Sequence, residues 1–341
     1  MYSFRNDYSE GAHPDILKAM VETNLEQTIG YGEDRFCLEA AELIKKKIGR
    51  NDVDIHLIPG GTQTNLIAIS AFLRPHEAVI APLTGHVEVH ETGAIEATGH
   101  KIITKVGTEG KLTPVDVQEA VDFHTDEHMV KPRLVYISNA TEVGSIYNKS
   151  ELTALSTFCR DHNLLLFMDG ARLGSALTSS QNDLTLGDIA GLVDAFYIGG
   201  TKNGAFIGEA LVICNESLKE DFRFHIKQKG ALLAKGRLLG VQFRELFRDD
   251  LFFELARHAN AMAAKMQDAL CEIGCPLLLH SPSNQIFPIM PNDLIGKLAE
   301  TYSFEIQKRV DADHSMIRLV TSWATKEHAV DEFIDDLKKL W

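Results

Sequence analysis

The stretch RLVYISNATEVGSIYNKSELTALSTFCRDHNLLLFMDGAR, residues 133–172, decides the fold. Arg133–Ser138 is a short run of β-forming residues, and Glu151–His162 has helical spacing behind a Ser150 cap. Leu164–Met168 is then an uninterrupted apolar run that ends on Asp169. Short apolar runs without alternation are buried on both faces, and a helix between two of them makes a parallel crossover.

Outward from this unit the same alternation continues in both directions. Toward the amino terminus, Val53–Ile58 precedes a helical Thr62–Leu73, Ala78–Ala81 precedes Glu88–Thr98, and Lys101–Val106 precedes Pro114–His124 behind a Thr113 cap. Toward the carboxyl terminus follow Ala195–Gly199 and Ala210–Cys214. The reading is an α/β fold with a mostly parallel seven-stranded sheet covered by helices on both faces. Asp34–Ile48, closed by Gly49, adds an amphipathic helix.

After residue 216 helices come first: Glu216–Gln228, then Arg237–Ile273 with a bend near Arg248-Asp249-Asp250. Short strands follow at Leu277–Leu279, Gln285–Met290, Phe304–Lys308 and Met316–Thr321, and Thr325 caps a last helix. That order predicts a smaller α+β domain. The expected division is an amino-terminal segment 1–15 packing with the small domain and the active site, a large domain 16–245 and a small domain 246–341.

Composition narrows the function classes. The chain has 341 residues and a formal charge of 34 − 48 = −14, which disfavours nucleic acid and anionic membranes as partners. The amino terminus lacks a signal-peptide pattern and no long apolar run is present, so a soluble cytoplasmic protein is expected. Cys37, Cys159, Cys214, Cys271 and Cys275 have no zinc spacing, so free buried thiols and no metal are expected.

Chemistry enters with two strand ends. Asp194-Ala-Phe-Tyr-Ile-Gly-Gly-Thr-Lys202 runs an apolar strand into a glycine-flanked turn that displays one amine, and Asp169 ends the neighbouring run in a carboxylate. Each alone reads as an exposed lysine or an ordinary turn aspartate. Together they match what pyridoxal phosphate requires: an amine for its aldehyde and an acid for its ring nitrogen.

Other residues fit around that pair. Gly60-Gly61-Thr62 opens a helix at a strand end, where free amides favour a phosphate; alone it also reads as a tight turn. His86, after Gly85, could stack on a planar cofactor and exchange protons, or simply pad a helix start, and His90 reads as surface or packing. Arg172 and Arg318 could each hold a carboxylate, with a buried salt bridge the competing reading for Arg318.

With these residues in place the chain resembles the low-specificity L-threonine aldolase and beta-eliminating lyase family, within the aspartate-aminotransferase-like fold (fold type I). The matching pieces are Pro59-Gly-Gly-Thr-Gln-Thr-Asn65, Gly85-His-Val-Glu-Val-His-Glu-Thr-Gly-Ala94, Asp169-Gly-Ala-Arg172, Gly199-Gly-Thr-Lys-Asn-Gly204 and Arg318. The resemblance implies that Lys202 carries pyridoxal 5′-phosphate as an aldimine, that Asp169 pairs with the pyridine nitrogen and that His86 stacks on the ring. It further implies that Gly61 and Thr62 bind the phosphate, that Arg172 and Arg318 hold the substrate carboxylate, and that Asn6 takes a carboxylate-contacting role. Lys235 would approach a phosphate from a neighbouring subunit, with Arg237 as the competing assignment. A homodimer or homotetramer with sites between subunits is implied as well.

Two departures bear on the chemistry. Where several relatives carry Thr-His-Asn, this chain has Ala140-Thr141-Glu142-Val143-Gly144, and Arg318 is followed by Thr321-Ser322-Trp323 in place of a histidine-containing continuation. The implied reaction is cleavage of L-threonine or L-allo-threonine to glycine and an aldehyde, with His86 as the available base. The alternatives are a pyridoxal phosphate lyase acting by β-elimination, an aminotransferase, or a cofactor-binding protein without catalysis. A dinucleotide-binding oxidoreductase fits poorly, because Gly60-Gly61-Thr62 lacks the spaced glycines of that fingerprint.

Overall fold

The seven apolar runs form one sheet. In the computed structural model, which describes residues 1–341, its order is Asp54–Ile58, Glu209–Ile213, Ala195–Gly199, Leu165–Asp169, Lys131–Ser138, Glu77–Pro82 and Ile102–Lys105. Glu209–Ile213 is antiparallel to both neighbours, and the remaining pairs are parallel. The carboxyl ends of all the other strands therefore open onto one edge, where ligands of such sheets gather.

Alternate residues of each strand enter different cores. Ile80, Val135, Ile137, Met168 and Phe196 join one apolar cluster with helices Arg35–Ile48 and Lys149–Asp161. Val79, Leu134, Tyr136, Phe167 and Tyr197 join the opposite one beneath helix Gly61–Phe72. Period-two burial on both faces explains why these runs read as continuous apolar stretches.

A third cluster gathers Phe4, Met266, Ile286, Ile317, Phe333 and Leu337 around a small antiparallel sheet built on His314–Val320. The amino terminus is stitched into it: Tyr2 and Ser3 pair with Tyr302 and Ser303, and the Val320 amide donates to the Phe4 carbonyl at 2.8 Å. Helix Leu251–Glu272 links the layers, contributing Phe252 and Leu255 to the large core and Met262 and Met266 to the small one.

Local differences from the sequence reading have identifiable causes. Positive φ at Thr92 and Gly93 interrupts the helix expected over 88–98, leaving one turn at His86–Val89 and a 3₁₀ turn at Glu96–Thr98. The bend near 248–250 is a full break, since Asp250 has φ 63° between helices Arg237–Arg248 and Leu251–Glu272. Asn148, not Ser150, caps helix Lys149–Asp161 in a capping box with Glu151. Thr325 accepts from the Ser322 amide at 2.7 Å, and the last helix starts at Glu327. Leu277 makes only an isolated bridge to Pro288. Cys37, Cys159 and Cys275 are buried, whereas Cys271 is exposed.

Two strand ends approach closely enough to exclude side chains. The Gly199 amide donates to the Gly170 carbonyl at 3.0 Å, and a Cβ on Gly170 would lie 1.8 Å from the Tyr197 carbonyl oxygen. This crossing sets the Asp169 turn beside the Lys202 turn. The latter is closed by Glu209, which accepts from the Gly200 amide at 3.1 Å and the Thr201 hydroxyl at 2.9 Å.

Gly170→Ala is expected to cost about 3 kcal/mol or more, because backbone must move to admit the methyl. Gly191→Ala is the control, since nothing lies within 4 Å of its added carbon. Equal urea midpoints for the two variants would contradict the account. Burial raises the Glu209 pKa to about 8, against hydrogen bonds from Thr201 and the charge of Lys202. The unfolded carboxyl ionises near 4.5, so from there to about 8 the native state holds more protons and stability falls as pH rises. Glu209→Gln should lose less stability than the wild type between pH 5 and 8; parallel losses would show that Glu209 does not titrate in that window.

Candidate active site

Asp169 ends the central strand with its carboxyl buried. Oδ2 accepts from the Tyr136 hydroxyl at 2.6 Å and Asn65 Nδ2 at 3.0 Å, while Oδ1 accepts from the Tyr197 hydroxyl at 2.5 Å and the Ala171 amide at 3.0 Å. Burial alone would raise its pKa, but the nearby His86 and the two tyrosine hydroxyls hold it below the usual carboxylate range. An acid kept ionised out of water suits a protonated ring nitrogen.

Lys202 lies one strand away and is partly buried. Burial, then the charge of Arg172, lower its pKa against the opposing pull of Asp7, Asp169 and Glu209. Its amine is thus shifted toward the neutral, nucleophilic form. It shares a small cavity with Asp7, Arg172, Ser175 and Asn284.

The amino-terminal segment brings a residue that the sequence reading passed over. Asp7 is buried and receives Arg172 Nε at 2.7 Å, Arg172 Nη2 at 3.0 Å and Asn284 Nδ2 at 2.9 Å. Burial raises its pKa, yet Arg172 and Lys202 bring the net below the ordinary range. Two donors of the Arg172 fork are therefore engaged inside the protein. Asn6 is occupied locally, its Oδ1 accepting from the Tyr8 amide at 3.0 Å and the Ser9 hydroxyl at 2.9 Å.

Arg318 is differently placed. Its Nη2 donates to Glu305, opposite it on the neighbouring strand, but its Nε is buried without a partner. Burial, followed by the charge of Arg172, lowers its pKa. The salt bridge read for it is present, and its Nε remains an unused donor.

His86 sits in the single helical turn after Gly85. Its Nδ1 is 2.8 Å from Glu91 Oε1, its backbone N–H donates to Glu142 Oε1 at 3.0 Å, and its ring lies 5.5 Å from that of His90. The His90 pKa is lowered by its burial and then by the charges of His86, Arg318 and Lys202, so His90 belongs to this neighbourhood. Glu142 also accepts from the Ser138 hydroxyl at 2.7 Å, its Oε2 has no partner, and burial raises its pKa.

At the same sheet edge, helix Gly61–Phe72 begins without a side-chain cap, and its first backbone bond inward is from Thr64 to Gly60 at 2.9 Å. The amides of Gly61, Thr62 and Gln63 are therefore free for an anion. An amine of lowered pKa, an ionised buried acid and an uncapped helix start fit the aldehyde, ring nitrogen and phosphate of pyridoxal phosphate. Lys235 does not join them; it is exposed in a surface cleft with Thr23, Glu26, Ile29 and Gly30. Arg237 is tied to the carbonyls of Thr23 and Glu26 at 2.5 Å each, so it is the less available of the two.

Tyr136, Tyr197, Asn65, Glu91, Asp7 and Asn284 were not singled out from sequence. Hydroxyl-bearing aromatics inside apolar strands are the signal that marks the two tyrosines. The tight Asp7 pair had no local signature, because its partner lies 165 residues away.

Comparison with known proteins places this site in context. A low specificity L-threonine aldolase from Pseudomonas sp. (strain NCIMB 10558) is 33% identical over 346 residues, covering 98% of this chain and 96% of that protein. A solved threonine aldolase from Leishmania major is 52% identical with a TM-score of 0.99, covering 100% of this chain and 99% of that one. An aspartate aminotransferase from Thermus thermophilus, at 15% identity and a TM-score of 0.73, shares the fold. The beta-eliminating lyase model matches residues 4–292, and the chain belongs to that pyridoxal phosphate-dependent family.

Proposed function

We propose that the protein cleaves β-hydroxy-α-amino acids such as L-threonine and L-allo-threonine to glycine and an aldehyde. The observation that carries this reading is the pairing of a lowered-pKa amine, Lys202, with an ionised buried acid, Asp169, beside a guanidinium with an unused buried donor, Arg318. Its near-full-length likeness to threonine aldolases selects this reaction among those such a site supports.

Bound pyridoxal phosphate supplies an electron sink for the carbanion left when the Cα–Cβ bond breaks. Lys202 would hold its aldehyde, Asp169 would keep its ring nitrogen protonated, and the amides at Gly61 and Thr62 would take its phosphate. Arg318, with the remaining Nη1 of Arg172, would orient the substrate carboxylate. Asn6, read as a contact to that carboxylate, would have its Nδ2 available for it, since its Oδ1 is taken by the Tyr8 amide and the Ser9 hydroxyl. His86 is the base assigned to the β-hydroxyl proton.

The active unit is read as a homodimer or homotetramer in the cytoplasm, with a small amino-acid substrate. Exposed Leu17, Val21, Leu25, Ile29, Leu38 and Leu238 on neighbouring segments support burial against another copy. Unpaired cysteines fit a reducing compartment, and no helix is long and apolar enough to cross a membrane. The division read from the sequence is 1–15, 16–245 and 246–341; separate apolar clusters support a large and a small domain, with Phe247, Phe252 and Leu255 of the last range packed in the large core.

Purified protein with L-allo-threonine is expected to release glycine and acetaldehyde, and Lys202→Ala should remove both turnover and the cofactor's bound absorbance. Release of 2-oxobutyrate would instead assign a dehydrating or β-eliminating lyase. For the shared site, Lys202→Ala co-expressed with Lys235→Ala should recover about a quarter of wild-type activity, since half of a random dimer population is mixed and carries one intact site. Full activity of Lys235→Ala alone would remove Lys235 from the neighbouring site.

A further inference from the structure

A continuous hydrogen-bonded line joins the buried acid to the histidine. Asn65, 1% exposed on the second turn of helix Gly61–Phe72, donates from Nδ2 to Asp169 Oδ2 at 3.0 Å and to Glu91 Oε1 at 2.8 Å. The same Glu91 oxygen lies 2.8 Å from His86 Nδ1. Only the amide nitrogen can face two carboxylates, so the Asn65 orientation follows from the chemistry of its neighbours.

One N–H for each carboxylate has an electrostatic consequence. Two buried acids this close would repel, and one would take up a proton unless donors lay between them. Asn65 supplies those donors, and the Glu91 oxygen it reaches is the one directed at the imidazole. An ionised carboxylate receives a hydrogen bond and cannot give one, so Nδ1 must carry a proton whether the ring is neutral or charged.

Resting on the aldol-cleavage reading above, we propose that Glu91, held by Asn65, is a positioning residue that fixes the proton on His86 Nδ1 and leaves Nε2 as the ring's proton-exchanging atom. The His86 backbone is clamped independently, its N–H donating to Glu142 at 3.0 Å. Rotation of the ring to exchange its nitrogens would break the Glu91 contact, so the ring presents one face and one lone pair. The β-hydroxyl proton then passes to Nε2, and the same atom returns a proton to complete glycine. The charged and titratable groups around the ring are Glu91, Glu142, Asp169 and His90, with the charges of Arg318 and Lys202 reaching His90.

The test reads the tautomer directly. Holoenzyme labelled with ¹⁵N in histidine, with the His86 signals assigned by their loss in His86→Asn, should show a protonated Nδ1 and an unprotonated Nε2 above the imidazole pKa. Glu91→Gln should move the ring toward the Nε2-protonated form, lower kcat by about 10²-fold and change KM by no more than about twofold. An Nε2-protonated ring in the wild type overturns the proposal, and so does a Glu91→Gln protein with an unchanged tautomer. If Glu91→Gln does not fold, the wild-type spectrum alone decides. The spectrum does not depend on turnover: a correct tautomer in a protein that fails to release glycine would sink the aldolase reading and leave the role of Glu91 in place.

Discussion

An ionised carboxylate at the end of a central strand needs donors on every side, and Asp169 obtains them from distinct elements. Tyr136 reaches it from one neighbouring strand, Tyr197 from the other, Asn65 from helix Gly61–Phe72 and Ala171 from its own turn. Each contact also fixes the element that makes it, so the edge carrying Lys202 and the helix start at Gly61 are held in one arrangement. Removing any donor would leave part of a buried charge unpaired, at a cost of about 1–3 kcal/mol. Order at this edge is thus a consequence of keeping a charge out of water.

The second tie spans the two cores. Strand pairing of Tyr2 and Ser3 with Tyr302 and Ser303 anchors the amino terminus to the small sheet, and a few residues later Asp7 grips Arg172 of the large sheet's turn. Asn284, from the small-domain side, donates to both Asp7 and the Thr321 carbonyl. Burying this pair is favourable only because Asp7 has a bidentate partner and a further donor. The arrangement also divides labour between the arginines: Arg172 chiefly holds the two parts together, while Arg318 keeps an unused donor.

What sequence reveals and conceals follows from distance. The strands were legible because burial on both faces makes them apolar throughout, and Asp169 and Lys202 because polar residues end those runs. The helix expected over 88–98 failed because Thr92, a residue that rarely adopts positive φ, does so here at 53°. Asn6 was given a carboxylate-contacting role by resemblance and its neighbour Asp7 none, and only the tertiary fold shows that Asp7 reaches Arg172. The Asn65–Glu91–His86 line was likewise hidden, since its members belong to a helix, a turn and a loop that meet only after the sheet assembles.

Charge placement links these features to substrate choice. The chain carries −14 overall, a field that repels anions, yet pyridoxal phosphate and an amino acid both bring anionic groups. Attraction must therefore be local. The cations at this edge are Lys202, Arg172 and Arg318, and Asp7, Asp169, Glu91, Glu142 and Glu209 each accept at least one hydrogen bond from the protein. Asp7 is thereby directed at Arg172 and Glu91 at the His86 imidazole. Arg318 is the exception: its Glu305 partner is 39% exposed and can yield to solvent, so the guanidinium can change partners without stranding a buried charge.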